Sequence, residues 1–248
     1  MSTVAFITGG NRGIGLETAR QLGKEGIIPV IGSRNPEAGR QAVAELRSEG
    51  IPAEFLVFEA TSATDREAAY AYFETHYGRL DILVNNAGLS LEGQPAESIG
   101  REHATSSVSE EMLRQTLEAN FFSVVFLTQK LLPLLKKSPA GRIVNVSSVL
   151  GSLTLHSDPA ASIYPIKMFA YDTSKTALNA FTVHLAHELK DTTVKVNSAH
   201  PGWVQTRLGG SVAPLTESDG AQTSVRLATI GADGPTGELF HGDEALPW

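Results

Sequence analysis

Short apolar runs alternate with longer segments whose apolar residues recur at helical spacing. Runs rich in Val, Ile, Leu or Phe at Val4–Thr8, Ile27–Ile31, Glu54–Phe58, Asp81–Val84, Arg142–Val146, Val194–Ala199 and Glu238–His241 predict seven strands. Between them, Gly15–Lys24, Glu37–Ser48, Asp65–Tyr77, Glu110–Lys137 and Thr173–Lys190 predict helices, with Ser109 and Asp172 as candidate caps of the last two. Strands that read as continuous apolar runs belong to a sheet covered on both sides, and strands alternating with helices imply parallel crossovers. The expected fold is therefore α/β: a doubly wound, seven-stranded, mostly parallel sheet with helices on both faces. Periodicity lapses at Leu89–Val108, Gly151–Phe169 and Gly209–Thr216, which read as loops. The last is rich in small residues, as segments that close over ligands are. Pro29 falls inside the second strand, where its missing N–H predicts an edge position or a bulge. No linker or repeat divides the chain, so a single domain over residues 1–248 is expected.

Composition narrows the function. With 42% apolar and 19% charged residues the chain supports a folded core. A formal net charge of -7 and the lack of a long Lys/Arg run disfavour a nucleic-acid or anionic-membrane surface and point to a small-molecule partner. The chain has no cysteine, which excludes a disulfide framework, a thiolate nucleophile and a zinc-thiolate site, and fits a cytoplasmic protein. Residues 1–10 lack the pattern of an export signal. The apolar stretch Phe121–Leu135 is broken by Ser123, Thr128, Gln129, Lys130 and Pro133, too polar for a membrane span. His184 and His187 stand one helical turn apart with no third ligand evident, so no metal is expected. Asn145-Val146-Ser147 matches a glycosylation acceptor, but in a strand expected to be buried.

The first strand runs into Thr8-Gly9-Gly10-Asn11-Arg12-Gly13-Ile14-Gly15, where a helix begins. Glycines there leave room for a tight turn and let a pyrophosphate approach backbone N–H groups at the helix N-terminus, the signature of a Rossmann-type dinucleotide site; ordinary strand-to-helix turns also use glycine. The second strand leads into Gly32-Ser33-Arg34-Asn35. Arg34 and Arg12, with no carboxylate beside them, suit a 2′-phosphate and so NADP(H) rather than NAD, although both are also ordinary surface residues. The fourth strand ends in Asn85-Asn86-Ala87-Gly88, small enough to let a ribose or nicotinamide lie against the backbone and amide-rich enough to brace neighbouring strands.

Tyr171 and Lys175 are four apart on one helix and share a face. An adjacent ammonium favours the phenolate, which would let the phenol exchange a proton with a carbonyl or alcohol oxygen. The fifth strand ends in Ser147-Ser148, at the edge where ligands bind in open α/β sheets. Ser148 is the candidate to hydrogen-bond a substrate oxygen, whereas a local cap or turn explains Ser147. Asn120 can hold a water linking Lys175 to solvent, or else mark a helix kink with an internally satisfied amide.

Together, Thr8–Gly15, Asn85–Gly88, Asn120, Ser148, Tyr171 with Lys175, and Pro201-Gly202 resemble the short-chain dehydrogenase/reductase family over essentially the whole chain. Within it, Thr8-Gly9-Gly10-Asn11, Ser33-Arg34 and Pro201-Gly202-Trp203-Val204 are most similar to the NADPH carbonyl reductases. The resemblance implies hydride transfer between NADP(H) and a ketone or aldehyde, with Tyr171 as general acid/base, Lys175 on the nicotinamide ribose, and Ser148 and Asn120 completing the tetrad. It implies cofactor contacts from Gly9, Asn11, Arg12, Gly13, Ile14, Gly15, Ser33, Arg34, Asn35, Glu59, Asn86, Ala87, Gly88, Pro201, Gly202, Val204 and Thr206. In the family an acidic residue after the third strand contacts adenine; here that position is Glu59 followed by Ala60. Tyr164 is not the catalytic tyrosine, because Met168 stands where its lysine belongs. Leu91, Leu153, Tyr164 and Trp203 are the expected pocket walls and favour an apolar carbonyl compound. A steroid, polyol or secondary-metabolite dehydrogenase would use the same tetrad. A cofactor-sensing regulator on this fold would tolerate the loss of Tyr171 or Lys175, so their presence counts against it. An insertion between Ser148 and the catalytic tyrosine is associated in carbonyl reductases with loss of the helix-packed dimer, which leaves monomer and homo-oligomer both open.

Overall fold

The computed structural model describes residues 2–93 and 105–248. The expected loop Leu89–Val108 thus lies outside the described residues from 94 to 104. Strands β1 (Val4–Thr8), β2 (Ile28–Ser33), β3 (Glu54–Val57), β4 (Ile82–Asn85), β5 (Arg142–Val146), β6 (Lys195–Ala199), β7 (Leu239–His241) and β8 (Glu244–Leu246) form one sheet in the order β3-β2-β1-β4-β5-β6-β7-β8. All neighbouring pairs are parallel except β7 with β8. The doubly wound architecture therefore stands, with an eighth, antiparallel strand added to the expected seven. Its three residues are too few to show a period, yet the loop before it, Gly242-Asp243, is a hairpin signal, and Gly242 takes the positive φ of 56° that such a turn needs.

Apolar faces of six helices sandwich the sheet. On one side α1 (Gly13–Lys24) and α2 (Pro36–Ser48) bring Leu22 and Leu46 against Ile7, Ile31 and Val84, joined by Val225 and Leu227 of α8 (Glu217–Thr229). On the other, α3 (Ala63–His76) packs Phe73 against Phe6, while α5 (Ser123–Leu135) contributes Leu127, Leu131 and Leu134, and α7 (Phe169–Glu188) Leu185. Burial of each such side chain stabilises the fold by roughly 1.5–3 kcal/mol.

Pro29 occupies neither an edge nor a bulge: β2 lies between β1 and β3, and Pro29 pairs with Ala5. Ile28 donates its N–H to Thr3 on the β1 side, so the Pro29 nitrogen points to the β3 side, where pairing starts only at Val30. The missing donor faces no partner strand.

The expected helix Glu110–Lys137 forms and runs to Leu135, with a π turn inside it: α4 (Glu110–Leu117) continues into α5 through Glu118–Phe122, which carries Asn120. Ser109 caps α4 through its bond from Met112, 3.1 Å long. α7 starts earlier than expected, at Phe169, so Asp172 lies inside its first turn, where its carboxylate accepts the N–H of the N-cap residue Met168. The expected loop Gly151–Phe169 contains the short helix α6 (Leu153–Ser157). α8 lies outside the five expected helices, although Thr216-Glu217-Ser218-Asp219 is a capping box whose two reciprocal bonds are both formed. The C-terminal Trp248 packs back: its carbonyl oxygen accepts the Thr154 N–H at 2.9 Å.

No helix among the described residues is long and apolar enough to cross a membrane. His184 and His187 are exposed, and no group of three metal-ligating side chains occurs among the described residues. Asn145 is fully buried and donates to Thr182 at 2.8 Å, so its side chain is not open to glycosylation.

Candidate active site

Strand order reverses between β1 and β4, and a cavity of about 740 Å³ opens there along the carboxyl edge of the sheet. Its volume suits a dinucleotide with a small substrate beside it.

The glycine turn forms one end. Gly9 and Gly13 have φ of 65° and 59°, in the left-handed region that other residues rarely adopt. A Cβ at Gly15 would lie 2.5 Å from Asn86 Nδ2 and from the Gly9 carbonyl oxygen. Asn86 holds the turn from β4, donating to the Thr8 and Gly9 carbonyls at 2.8 and 3.3 Å. Thr8 Oγ1 in turn accepts the N–H groups of Asn86 and Ala87. Asn85 braces the sheet beneath by donating to Asn145 at 2.8 Å and Thr128 at 3.1 Å. This cradle, at the N-terminus of α1, fits the phosphates of a dinucleotide. Substituting Gly15→Ala is expected to weaken NADPH binding about tenfold and to destabilise the fold by about 1–3 kcal/mol, because the added methyl has nowhere to go; a fluorescence titration and a urea melt measure the two effects.

Arg12, Ser33 and Arg34 border the same end of the cavity, and both arginines are exposed. Arg34 is paired with Glu59 across 3.3 Å, so Glu59 faces the arginine as well as the cavity. Asn35 does not line the cavity; its Oδ1 caps α2, accepting from Glu37 and Ala38 at 2.9 and 3.1 Å.

The chemical end brings together Ser148, Tyr171, Lys175, Gly88 and the Pro201–Thr206 segment. Ser148 and Tyr171 both line this end, their hydroxyl groups near enough to influence one another. Ser148 Oγ also accepts the Leu150 N–H at 3.1 Å, so the local cap expected of Ser147 belongs to Ser148. Ser147 instead donates to Asn179 at 2.6 Å and fixes β5 against α7. Lys175 Nζ sits 5.6 Å from the centre of the Tyr171 ring and donates to the Val146 carbonyl at 2.7 Å. Burial pulls the Lys175 ammonium down to about 8. Burial, with the Asp172 charge adding to it, pushes the Tyr171 phenol above its ordinary value, while the Ser148 hydroxyl acts the other way. Desolvation here favours the neutral phenol. Asn120 does not line the cavity: its Oδ1 accepts the Leu89 N–H at 2.8 Å, while Nδ2 donates to the Leu89 carbonyl at 2.8 Å and to Ser174 at 3.0 Å. Its amide is thus satisfied within the π turn.

Trp203 borders the cavity, and its indole donates to the Gly209 carbonyl at 2.7 Å; of the Gly209–Thr216 segment only Gly209 lines the cavity. Gly202, with φ of 82°, is required there because a Cβ would meet Leu215 Cδ1 at 2.3 Å. Leu91, Leu153 and Tyr164 do not line the cavity; they are 40%, 63% and 40% exposed. The apolar walls are Leu89, Val149, Ile163, Ile166 and Leu208 instead. Glu217, His200 and Arg207 also border it, and no local motif marks them in the sequence.

Asp172 neighbours this site. Burial and the Glu92 charge push its carboxyl up to about 7, against the Met168 N–H and Lys167. An unfolded Asp ionises near ~4, so between about pH 4 and 7 the folded state binds the extra proton and stability falls as pH rises. Relative to Asp172→Asn, the parent is expected to lose about 2–4 kcal/mol across that window; denaturant melts of both proteins at pH 4.5 and 8 measure the difference.

The fold, the glycine cradle and the Ser-Tyr-Lys cluster define a dinucleotide-dependent oxidoreductase. The model of the short chain dehydrogenase family matches residues 3–215, and the chain belongs to that family. It is 31% identical to salutaridine reductase of Papaver somniferum over 97% of this chain and 94% of that one. It is also 31% identical to (-)-isopiperitenone reductase of Mentha piperita over 98% of this chain and 97% of that one. The crystal structure of an actinorhodin polyketide ketoreductase with NADPH superposes with a TM-score of 0.77 at 28% identity, covering 98% of each chain.

Proposed function

We propose that the protein is an NADPH-dependent reductase of apolar ketones or aldehydes, acting as one catalytic domain over residues 1–248. The observation that carries this reading is the meeting, in one cavity, of a phosphate cradle flanked by two arginines with the Ser148, Tyr171 and Lys175 side chains. The cradle holds the pyrophosphate, Arg12 and Arg34 the 2′-phosphate, and Lys175 the nicotinamide ribose. When bound, NADPH supplies hydride to the carbonyl carbon. Ser148 Oγ donates a hydrogen bond to the carbonyl oxygen and stabilises the developing alkoxide. The Tyr171 phenol, protonated through its burial, gives its proton to the same oxygen. Asn120 acts through others by fixing Leu89 and Ser174. Leu89, Ile163, Ile166 and Leu208 exclude water and favour an apolar substrate. The names of the two plant relatives, a salutaridine reductase and an isopiperitenone reductase, support a reductase of secondary-metabolite size over one of small polar acids.

NADPH oxidation measured against an apolar cyclic ketone, a linear aldehyde and a charged 2-keto acid tests this. Turnover of the first two and not the third is expected. NADPH binding with no turnover on any of them would instead make the protein a cofactor sensor.

A further inference from the structure

α7 begins without a cap of its own: Met168, at its N-cap, makes no side-chain hydrogen bond to the helix. The first N–H groups of a helix need an acceptor. Those of Ala170 and Tyr171 both reach the carboxylate of Glu92, at 3.2 and 2.8 Å, across 78 and 79 positions of sequence. Glu92 stands just past Gly88 and is only 3% exposed. Burial of a carboxylate is costly unless donors replace its water, and here two backbone N–H groups and the positive end of the helix do so. Asp172 completes the cap by accepting the Met168 N–H at 3.0 Å.

The cap reaches into the site. Leu89, which lines the cavity, is clamped through both its N–H and its carbonyl by Asn120. Asn120 also donates to Ser174, whose Oγ donates to the Tyr171 carbonyl at 2.7 Å. Tyr171 is therefore gripped at its N–H by Glu92 and at its carbonyl by Ser174, and both grips lead back to the one segment that follows β4. A serine or asparagine at position 168 would satisfy the same N–H groups locally. Drawing the acceptor from the segment that carries Leu89 instead ties the height of the Tyr171 turn to the position of that wall residue.

We propose that Glu92 is a positioning residue for Tyr171: its carboxylate holds the catalytic turn of α7 in register with the substrate wall. The inference rests on the reading of Tyr171 as proton donor. Glu92→Ala, Glu92→Gln and Tyr171→Phe test it, with NADPH affinity measured by fluorescence titration and kcat expressed per NADPH-binding site. Glu92→Ala is expected to lower kcat about 10- to 100-fold with NADPH Kd within about twofold of the parent, as misplacement of a proton donor does. Glu92→Gln, isosteric and keeping one acceptor, is expected to restore part of the rate, to within about three- to tenfold of the parent. Either folded variant with kcat within about twofold of the parent, or with kcat and NADPH affinity falling in parallel, would overturn the proposal. If Glu92→Ala does not fold, Glu92→Gln decides by the same criteria. Turnover that survives Tyr171→Phe would overturn the reading of Tyr171 itself, whatever the Glu92 variants do.

Discussion

Tyr171→Phe is expected to lower kcat for carbonyl reduction by a factor of about 10²–10⁴ while leaving NADPH affinity within about twofold. The phenol borders the cavity beside Ser148, and burial favours its acid form. Phenylalanine keeps the ring and its packing against Leu150, Ile163 and Met168, so the fold should persist. The substitution leaves Ser148 in place, since its Oγ still accepts the Leu150 N–H. Steady-state kinetics and a binding titration on the same preparation separate the lost proton from a lost site. A fall in kcat without a change in affinity is the signature of an interaction made only in the transition state.

The second large effect concerns cofactor choice. Arg12→Ala combined with Arg34→Ala is expected to reduce kcat/KM for NADPH about 10²-fold or more, because each charge-assisted bond to a phosphate contributes about 1.5–3 kcal/mol. The value for NADH should change little. The existing Arg34–Glu59 pair, both partners substantially exposed, offsets little of this, since exposed ion pairs are weak. Removing the arginine leaves the Glu59 carboxylate unopposed at the cavity edge, which further disfavours a 2′-phosphate and suits ribose hydroxyls. Comparing kcat/KM with the two cofactors in parent and double variant checks both parts.

Much of this site is legible in the sequence because its signals are local. The glycines of residues 9–15 answer to a positive φ and a close approach that any such turn imposes, and Tyr171 and Lys175 share a face at any four-residue spacing on a helix. The elements that sequence alone misplaces answer to partners far along the chain. Pro29 is tolerated inside β2 because β3 begins one residue too late to need its N–H, a fact of register between strands. The helix expected at Glu110–Lys137 forms, but its sequence does not show the π turn where Asn120 reaches Leu89 and Ser174. The substrate walls are harder still. Leu91, Leu153 and Tyr164 suggest themselves by their apolar surface and their nearness to the motifs, but the path of residues 149–166 turns Leu153 and Tyr164 outward and Ile163 and Ile166 inward, and Leu91 lies away from the cavity too. Glu92 gives no signal at all, since its meaning lies in two N–H groups of a helix that starts far away. By contrast, the capping box at Thr216–Asp219 and the Gly242-Asp243 turn are local signals that account for α8 and β8.

The most direct test of the account follows the hydrogen itself. NADPH carrying deuterium at the transferred position of the nicotinamide is turned over with an apolar cyclic enone, and the product is analysed by mass spectrometry and NMR. One deuterium on the carbinol carbon of an alcohol is expected, with the hydroxyl proton drawn from solvent by way of Tyr171. Deuterium on a carbon of a reduced C=C bond, with the carbonyl intact, would contradict it.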